Sequence, residues 1–288
     1  MANKLELLDV INDDGVDYEA LLLLMFKDYE TKKNSGAVYS MKSFEPKGLI
    51  KMYYRITNEP KFDGLLANFK KRYIMNESKL EQVHEPCEIE GLGLVYDYIQ
   101  SYIQESNINV FTILRLHAIL YSKAPYPEFG GKFRNRDVYL PGAAIETESW
   151  DNIPKAMNEL FAPTNELVKR GLQLGKEKNI EEIIDYIDEC IKLNATIIRI
   201  HPFMDGNGRT ARAFMNLLFK LAGVPPTYVR AKERMEYQQA MNRAINENDF
   251  TSLNKFYYYK ICDSIYELDM QEKLEQLKQK GEENPKKR

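Results

Sequence analysis

The chain has 288 residues, enough for one large domain or two small ones, and its 44% of hydrophobic residues can build a proper core. A charged fraction of 29% is ordinary for a soluble protein. The formal net charge of −3 provides no overall basic field, which argues against nucleic acid as a partner.

The three cysteines, Cys87, Cys190 and Cys262, lie far apart without CxxC spacing. This disfavours a zinc site or a disulfide framework and indicates free thiols in a reducing compartment. The opening residues, MANKLELLDVINDDG, lack the apolar run of a signal peptide, and the longest apolar block, residues 21–26, is too short for a membrane span. We therefore expect a cytoplasmic protein that works without a membrane.

Helical periodicity dominates the chain and predicts an all-α fold. In chain order, the patterns favour helices over residues 17–32, 110–122, 180–200, 207–222, 231–247 and 250–278. In the third of these, isoleucines at 183, 187 and 191 recur on one face. Gly223, which two prolines follow, is a clear stop signal for the fourth.

One segment breaks this rhythm. Residues 130–142, GGKFRNRDVYLPG, are bounded by glycines and a proline, and charged residues alternate briefly with Phe133. The pattern predicts a short β-hairpin, or flap, on an otherwise helical protein.

The first hundred residues contain few sequence signals of a domain boundary, and we place an approximate boundary near residue 75. Residues 1–75 would form a helical N-terminal extension and residues 76–270 the main domain. Residues 271–288 read as a charged, solvated tail.

Residues 201–212, HPFMDGNGRTAR, carry the candidate chemistry. A long apolar helix ends before Pro202, glycines at 206 and 208 make a tight loop, and a second helix follows. The N–H groups at the start of that helix lack intrahelical partners, which makes an anion site suited to phosphates. Arg209 and Arg212 are three residues apart and share one face of the helix, which favours a polyphosphate clamp.

Asp205 adds a carboxylate at the same loop, and Mg²⁺ usually takes one or two protein carboxylates together with phosphate oxygens. His201 stands at the loop mouth, and its ordinary pKa near ~6.5 suits a general base. Taken singly, each of these residues has a common structural role as a packed histidine, a turn carboxylate or a surface arginine. Their joint occurrence within twelve residues favours a site.

This segment resembles, at every defined position, the HPFx(D/E)GNGRxxR signature of the Fic family, and the resemblance extends over roughly residues 110–260. It implies a compact Fic helical core, over residues 76–270, with a small β-hairpin flap and a helical N-terminal extension. It also implies transfer of AMP from ATP, with Mg²⁺, to a Ser, Thr or Tyr hydroxyl of a target protein.

The resemblance assigns roles residue by residue. His201 would take the proton of the acceptor hydroxyl, and Asp205 would hold magnesium. The nucleotide would be bound by Gly206, Asn207 and Gly208 at its phosphates, Arg209 at the β-phosphate, Arg212 at the γ-phosphate and Tyr237 at the nucleoside. The flap would hold a target segment by strand-like pairing through Lys132, Phe133, Arg134, Val138 and Tyr139.

Many Fic proteins also carry an inhibitory helix with the pattern (S/T)xxxE(G/N), whose Glu pairs with the second signature arginine. Residues 86–91, PCEIEG, match its end at Glu90 and Gly91, while Pro86 replaces the Ser or Thr. We therefore predict that Glu90 inhibits the enzyme by pairing with Arg212. The alternative is that Glu88 and Glu90 are ordinary solvated carboxylates.

Two other functions stay open. Removal of AMP from a modified target would use the same residues, and a nucleotide-sensing regulatory module would bind ATP with incidental activity. A homo-oligomer is compatible with the sequence.

Overall fold

A computed structural model describes residues 11–12, 15–16, 53–54, 57, 62–101, 108–138, 145–177 and 182–282, with only the backbone given for residues 11–12, 15–16, 62, 266 and 269–282. The predicted helix over residues 17–32 lies outside the described residues. The fold divides into two compact units, one from the parts of the chain before residue 70 and after residue 261, and one over residues 70–261. All the predicted site residues fall in the second unit.

The described residues are predominantly helical, which confirms the predicted all-α class. A two-residue antiparallel pair, β1 (Ile11–Asn12) and β2 (Gly15–Val16), opposes Ile11 to Val16. The α-helices are α1 (Phe62–Leu80), α2 (Pro86–Ser101), α3 (Thr112–Leu120), α4 (Ile153–Glu159), α5 (Phe161–Glu177), α6 (Ile183–Ile200), α7 (Asn207–Leu221), α8 (Arg234–Glu247) and α9 (Thr251–Glu282). Single 3₁₀ turns occupy Pro127–Phe129 and Ala231–Glu233.

The domain boundaries expected near residues 75 and 270 remain predictions, and both positions fall inside continuous helices, α1 and α9. Across the described ranges, none of the helices is both long and apolar enough to cross a bilayer.

Helix α7 is the centre of the second unit. It packs against α2, α3, α5 and α6, and apolar side chains such as Phe214, Leu217 and Leu218 are buried around its whole circumference. A helix enclosed on all sides is held rigidly, because its neighbours interdigitate with it at crystal-like density. The first turns of α7 therefore give a fixed platform for Arg209 and Arg212.

Helix α6 precedes α7 in the chain and leads into the loop before it. Its buried face contains Ile183, Ile187 and Ile191, as the periodicity predicts. The helix stops at His201, whose left-handed backbone (φ 52°, ψ 59°) turns the chain out of the helix axis. Pro202 follows, and a proline at that position cannot continue the helix.

The predicted flap hairpin is wrong over the described part of that segment, residues 130–138, which contains no strand. The backbone N–H of Gly131 donates to His117 Nδ1 at 2.9 Å, and that of Arg134 donates to the Pro202 carbonyl at 2.9 Å. These bonds tie the segment to α3 and to the loop after α6 instead of to a second strand.

A close crossing of α2 over α3 gives a test of this packing. A Cβ on Gly91 would overlap the Leu120 carbonyl oxygen, whereas one on Gly64, in α1, meets no described atom within 4 Å. We expect Gly91→Ala to lower the free energy of unfolding by about 1–3 kcal/mol through overpacking. Gly64→Ala, the matched control, should be neutral or stabilising by up to about 1 kcal/mol. Urea unfolding of both variants measures the difference, and equal values would contradict the crossing.

Candidate active site

The loop between α6 and α7 is stabilised by hydrogen bonds within the loop. Asn207 Oδ1 accepts the backbone N–H of Phe203 at 2.8 Å, and its Nδ2 donates to the Phe203 carbonyl at 2.9 Å. Gly206 lies in the left-handed region (φ 73°), with the Tyr121 ring against it. The loop is thus braced by a side-chain amide, and the first N–H groups of α7 remain without intrahelical partners.

His201 is partly buried at the mouth of this loop. A proton on Nδ1 donates to the Ile198 carbonyl at 3.3 Å, which leaves Nε2 with a lone pair. Burial lowers the pKa of His201, and the nearby Arg134 acts in the same direction. The imidazole is therefore neutral, and able to accept a proton, at a lower pH than free histidine.

Asp205 presents an oriented, ionised carboxylate. Its side chain is 75% exposed, and Oδ2 accepts from the Tyr121 hydroxyl at 2.9 Å and from Arg209 Nη2 at 3.2 Å. Partial burial acts to raise its pKa, but Arg209 and the hydrogen bonds of Gly206 and Tyr121 outweigh it and lower the pKa. Such a carboxylate can bind a divalent cation.

Arg209 is buried and bonded at both ends of its guanidinium. Nη1 donates to Glu88 Oε2 at 2.5 Å, and Nη2 donates to the Tyr121 hydroxyl at 3.0 Å as well as to Asp205. The second oxygen of Glu88 accepts from the Tyr126 hydroxyl at 2.8 Å.

Arg212 is bound by two glutamates, Glu77 in the last turn of α1 and Glu81 directly after that helix. Glu77, which is completely buried, accepts from Nε at 2.9 Å and from Nη2 at 2.7 Å, and Glu81 accepts from Nη2 at 2.5 Å. Burial raises the pKa of Glu77 despite Arg212, whereas for Glu81 the arginine outweighs burial and lowers the pKa. A Cβ on Gly208 would stand 2.6 Å from Glu81 Oε1. The Glu81 carboxylate therefore lies against Gly208, in the first turn of α7.

His117 is a site residue that the motif alone does not reveal. Its Nδ1 accepts from the Gly131 N–H at 2.9 Å, so Nε2 carries the proton and donates to the Asp205 carbonyl at 3.0 Å. The ring stacks on Phe203 at 3.8 Å between centroids. His117 thus joins the flap segment to the loop that carries Asp205, across 88 residues of chain.

Comparisons with known proteins place this geometry in a family. Residues 107–219 match the model of the Fic/DOC family. These residues form a Fic domain.

Curated relatives agree in name. The chain is 31% identical over 177 residues to the protein adenylyltransferase Fic of Drosophila erecta, and 30% identical over 178 residues to that of Nematostella vectensis. Each match covers 61% of this chain but only 32% and 38% of the relatives' own lengths.

Solved structures share the fold. Fic-1 of Caenorhabditis elegans (residues 134–508) superposes with a TM-score of 0.61 at 17% identity, covering 88% of this chain and 76% of that one. A Fic domain containing signaling protein of Bacteroides thetaiotaomicron gives 0.59 at 17% identity, covering 78% of this chain and 97% of that one.

The predicted pairing of Glu90 with Arg212 is wrong for this Fic domain. The Glu90 side chain is 58% exposed, and its ion pair is with Lys123 at 3.6 Å. Residues two apart on a helix point to nearly opposite sides, so Glu88 on α2 faces inward and Glu90 faces solvent.

A different sequence signal marks the glutamate that does meet Arg212. Residues 77–82, ESKLEQ, have the spacing of the inhibitory pattern, with Glu77 in place of the Ser or Thr and Gln82 in place of the Gly or Asn. Gln82 has φ 56°, the left-handed conformation that glycine and asparagine favour. Because both flanking positions depart from the pattern, a search for its usual residues passes over Glu81.

The flap residues divide into two groups. Lys132 is exposed, and Phe133 and Val138 are partly exposed, so these side chains are accessible; Tyr139 lies outside the described residues. The Arg134 side chain is buried and donates to the His201 carbonyl at 2.8 Å, to the Arg136 carbonyl at 2.9 Å and to the Glu148 carbonyl. The assignment of its side chain to target binding is therefore wrong, because Arg134 instead fixes the turn at His201.

Tyr237, predicted at the nucleoside, is buried in α8. Its ring lies 5.7 Å from Arg212 Cζ and 5.6 Å from the Phe256 ring. It packs against Arg212, and its contact with the nucleoside stays a prediction.

His117 gives this Fic domain a pH dependence. Burial lowers its pKa to about 4, while the unfolded chain has a value near 6.5. Above pH 6.5 both states are neutral; as the pH falls towards 4 only the unfolded state takes up the proton, so stability is lost over that window. We expect this histidine to account for a loss of roughly 3 kcal/mol in the free energy of unfolding between pH 7 and 4.

His117→Gln keeps a donor for the Asp205 carbonyl and does not titrate. Urea unfolding at several pH values should show that the free energy of unfolding falls more steeply for wild type than for the variant as the pH is lowered. Parallel curves for the two proteins would contradict this role of His117.

Proposed function

We propose that the chain is an ATP- and Mg²⁺-dependent protein adenylyltransferase, which transfers AMP to a Ser, Thr or Tyr hydroxyl of a target protein. The observation that carries the proposal is the loop within residues 201–212. It brings together a neutral imidazole, an ionised carboxylate and an anion cradle, by which we mean Gly206, Asn207 and Gly208. Relatives named protein adenylyltransferase Fic support the same reaction. Because this chain spans only about a third of their length, activity and targets are proposals for it.

The residues fit the phosphates of a nucleotide. The start of α7 already accommodates an anion, since the Glu81 carboxylate lies on Gly208 and against Arg212. A phosphate in that place would meet the same helix N-terminus and guanidinium. ATP bound with Mg²⁺ at Asp205 would supply an electrophilic α-phosphorus and a pyrophosphate leaving group.

The chain's own groups account for the remaining chemistry. His201 Nε2 accepts the proton of the target hydroxyl as the new O–P bond forms and the bond from phosphorus to pyrophosphate breaks. Arg209 and the N–H groups of α7 stabilise charge on the phosphate oxygens. The exposed edge of the flap, including Lys132 and Phe133, would hold the acceptor segment beside His201.

Glu81 is the proposed inhibitory residue in place of Glu90. Its carboxylate lies at the anion cradle and shares Arg212 Nη2 with Glu77. An ATP molecule could place its γ-phosphate there only by displacing Glu81, and otherwise would bind out of line with the acceptor. Since Glu81 is partly exposed and Glu77 is completely buried, Glu81 is the carboxylate that can leave.

Removal of AMP is the second candidate. An ionised, partly exposed Glu81 close to His201 and Asp205 could orient a water molecule for attack on an AMP-modified target. Glu81 would inhibit AMP transfer but assist AMP removal, so substitutions of Glu81 distinguish the two reactions.

The first prediction concerns the base. His201→Ala should reduce AMP incorporation from labelled ATP by at least about 100-fold, because general-base catalysis is lost. ATP affinity should change little, since the imidazole faces the acceptor and not the phosphates. Incorporation and ATP binding by calorimetry are measured on the same preparations, and undiminished labelling would exclude His201 as the base.

The second prediction compares two glutamates. Glu81→Ala should raise both ATP affinity and AMP incorporation, the latter by roughly 10- to 100-fold, since misplacement of a substrate by about 1 Å costs that much. Glu90→Ala, the matched control on the exposed face of α2, should change neither. Equal effects of the two substitutions would refute inhibition by Glu81. A Glu81→Ala protein that loses the ability to release AMP from a modified target would favour the removal reaction.

A further inference from the structure

Glu88 has no role in the reaction described so far, yet it is a buried carboxylate at the site. It lies in the first turn of α2 and its side chain is 9% exposed. Both oxygens have partners: Arg209 Nη1 at 2.5 Å and the Tyr126 hydroxyl at 2.8 Å. A buried carboxylate is retained at such a cost only when it is paired in this way.

The two ends of the Arg209 guanidinium face different groups. Nη1 is held by Glu88, and Nη2 lies beside Asp205 and Tyr121. A guanidinium is planar and rigid, so fixing one end sets the direction of the other. Glu88 therefore determines that Nη2 is presented where Asp205 would hold the cation.

Glu88 differs from Glu81 in how firmly it is held. Glu81 is partly exposed and accepts from Arg212 Nη2, which it shares with Glu77. Glu88 is anchored from a second side by Tyr126, whose pKa it raises to about 12 by accepting its hydrogen bond. This anchoring suits a group that stays in place while nucleotide binds.

We infer that Glu88 is a positioning residue that acts through Arg209 and gives the site its preference for a nucleotide with a second phosphate. Glu88 itself touches no phosphate; it directs Arg209 Nη2 at the β-phosphate. The inference rests on the proposed function, because it concerns nucleotide bound at the same loop.

The test uses the full chain with Glu81→Ala as parent, so that the cradle is open. Dissociation constants for AMP, ADP and ATP are measured by calorimetry with Mg²⁺. We expect Glu88→Ala to weaken ADP and ATP binding by about 10-fold and AMP binding by less than about twofold. Glu88→Gln, which keeps an acceptor oxygen but not the charge, should recover part of the loss. Glu90→Ala is the control and should leave all three constants unchanged.

Tyr126→Phe keeps the inference testable if Glu88→Ala does not fold. Tyr126 lies near the surface, and its loss frees one oxygen of Glu88 without removing the ion pair. It should lower the preference for ADP over AMP by about two- to threefold.

Distinct outcomes overturn distinct claims. If the ratio of the dissociation constants for ADP and AMP is unchanged in a folded Glu88→Ala protein, the positioning role is refuted. If Glu88→Ala does not fold, the same result in Tyr126→Phe refutes it. Equal weakening of all three nucleotides also refutes it, since it indicates general damage to the site. A parent protein that binds none of the nucleotides refutes the proposed function together with this inference.

Discussion

The structure of the site depends on how two arginines are buried at the start of α7. Arg209 and Arg212 are each 3% exposed, and an isolated charge at that depth is costly. Removing one partner of a buried ion pair typically costs about 3–5 kcal/mol, because the remaining charge is left uncompensated. Carboxylates from α1 and α2, together with Glu81 and Asp205 from two loops, therefore pair with these arginines.

The two arginines meet this requirement differently. Arg209 has Glu88, which is anchored by a tyrosine, together with the exposed Asp205. Arg212 has the buried Glu77 and the partly exposed Glu81. Glu88 is held from two sides, whereas the partners of Arg212 include a partly exposed carboxylate. This difference is the basis of the proposed inhibition, in which an anionic ligand displaces Glu81 from Arg212 while Glu88 stays on Arg209.

The loop in front of α7 is held by hydrogen bonds to its backbone carbonyls. Arg134 donates to the carbonyls of His201 and Pro202, and His117 connects the flap segment to the Asp205 carbonyl. Neutral hydrogen bonds from His117 avoid adding a charge beside Asp205, and the low pKa of that histidine keeps it so. His117 thus braces the loop at Asp205 without placing a charge next to that carboxylate.

The sequence alone determined the parts of this site that are contiguous. Residues 201–212 contain the proposed base, the proposed metal carboxylate, the glycine loop and both arginines, and a helix–loop–helix pattern fixes their order in space by local geometry. The all-α class follows in the same way from periodicity. Only the tertiary structure decided the partners of the arginines, since Glu88 and Glu77 lie 121 and 135 residues away from them along the chain. Glu88 and Glu90 look alike in sequence, and the packing of α2 against α7 made one a buried counterion and the other a surface residue, because only one face of α2 packs against α7.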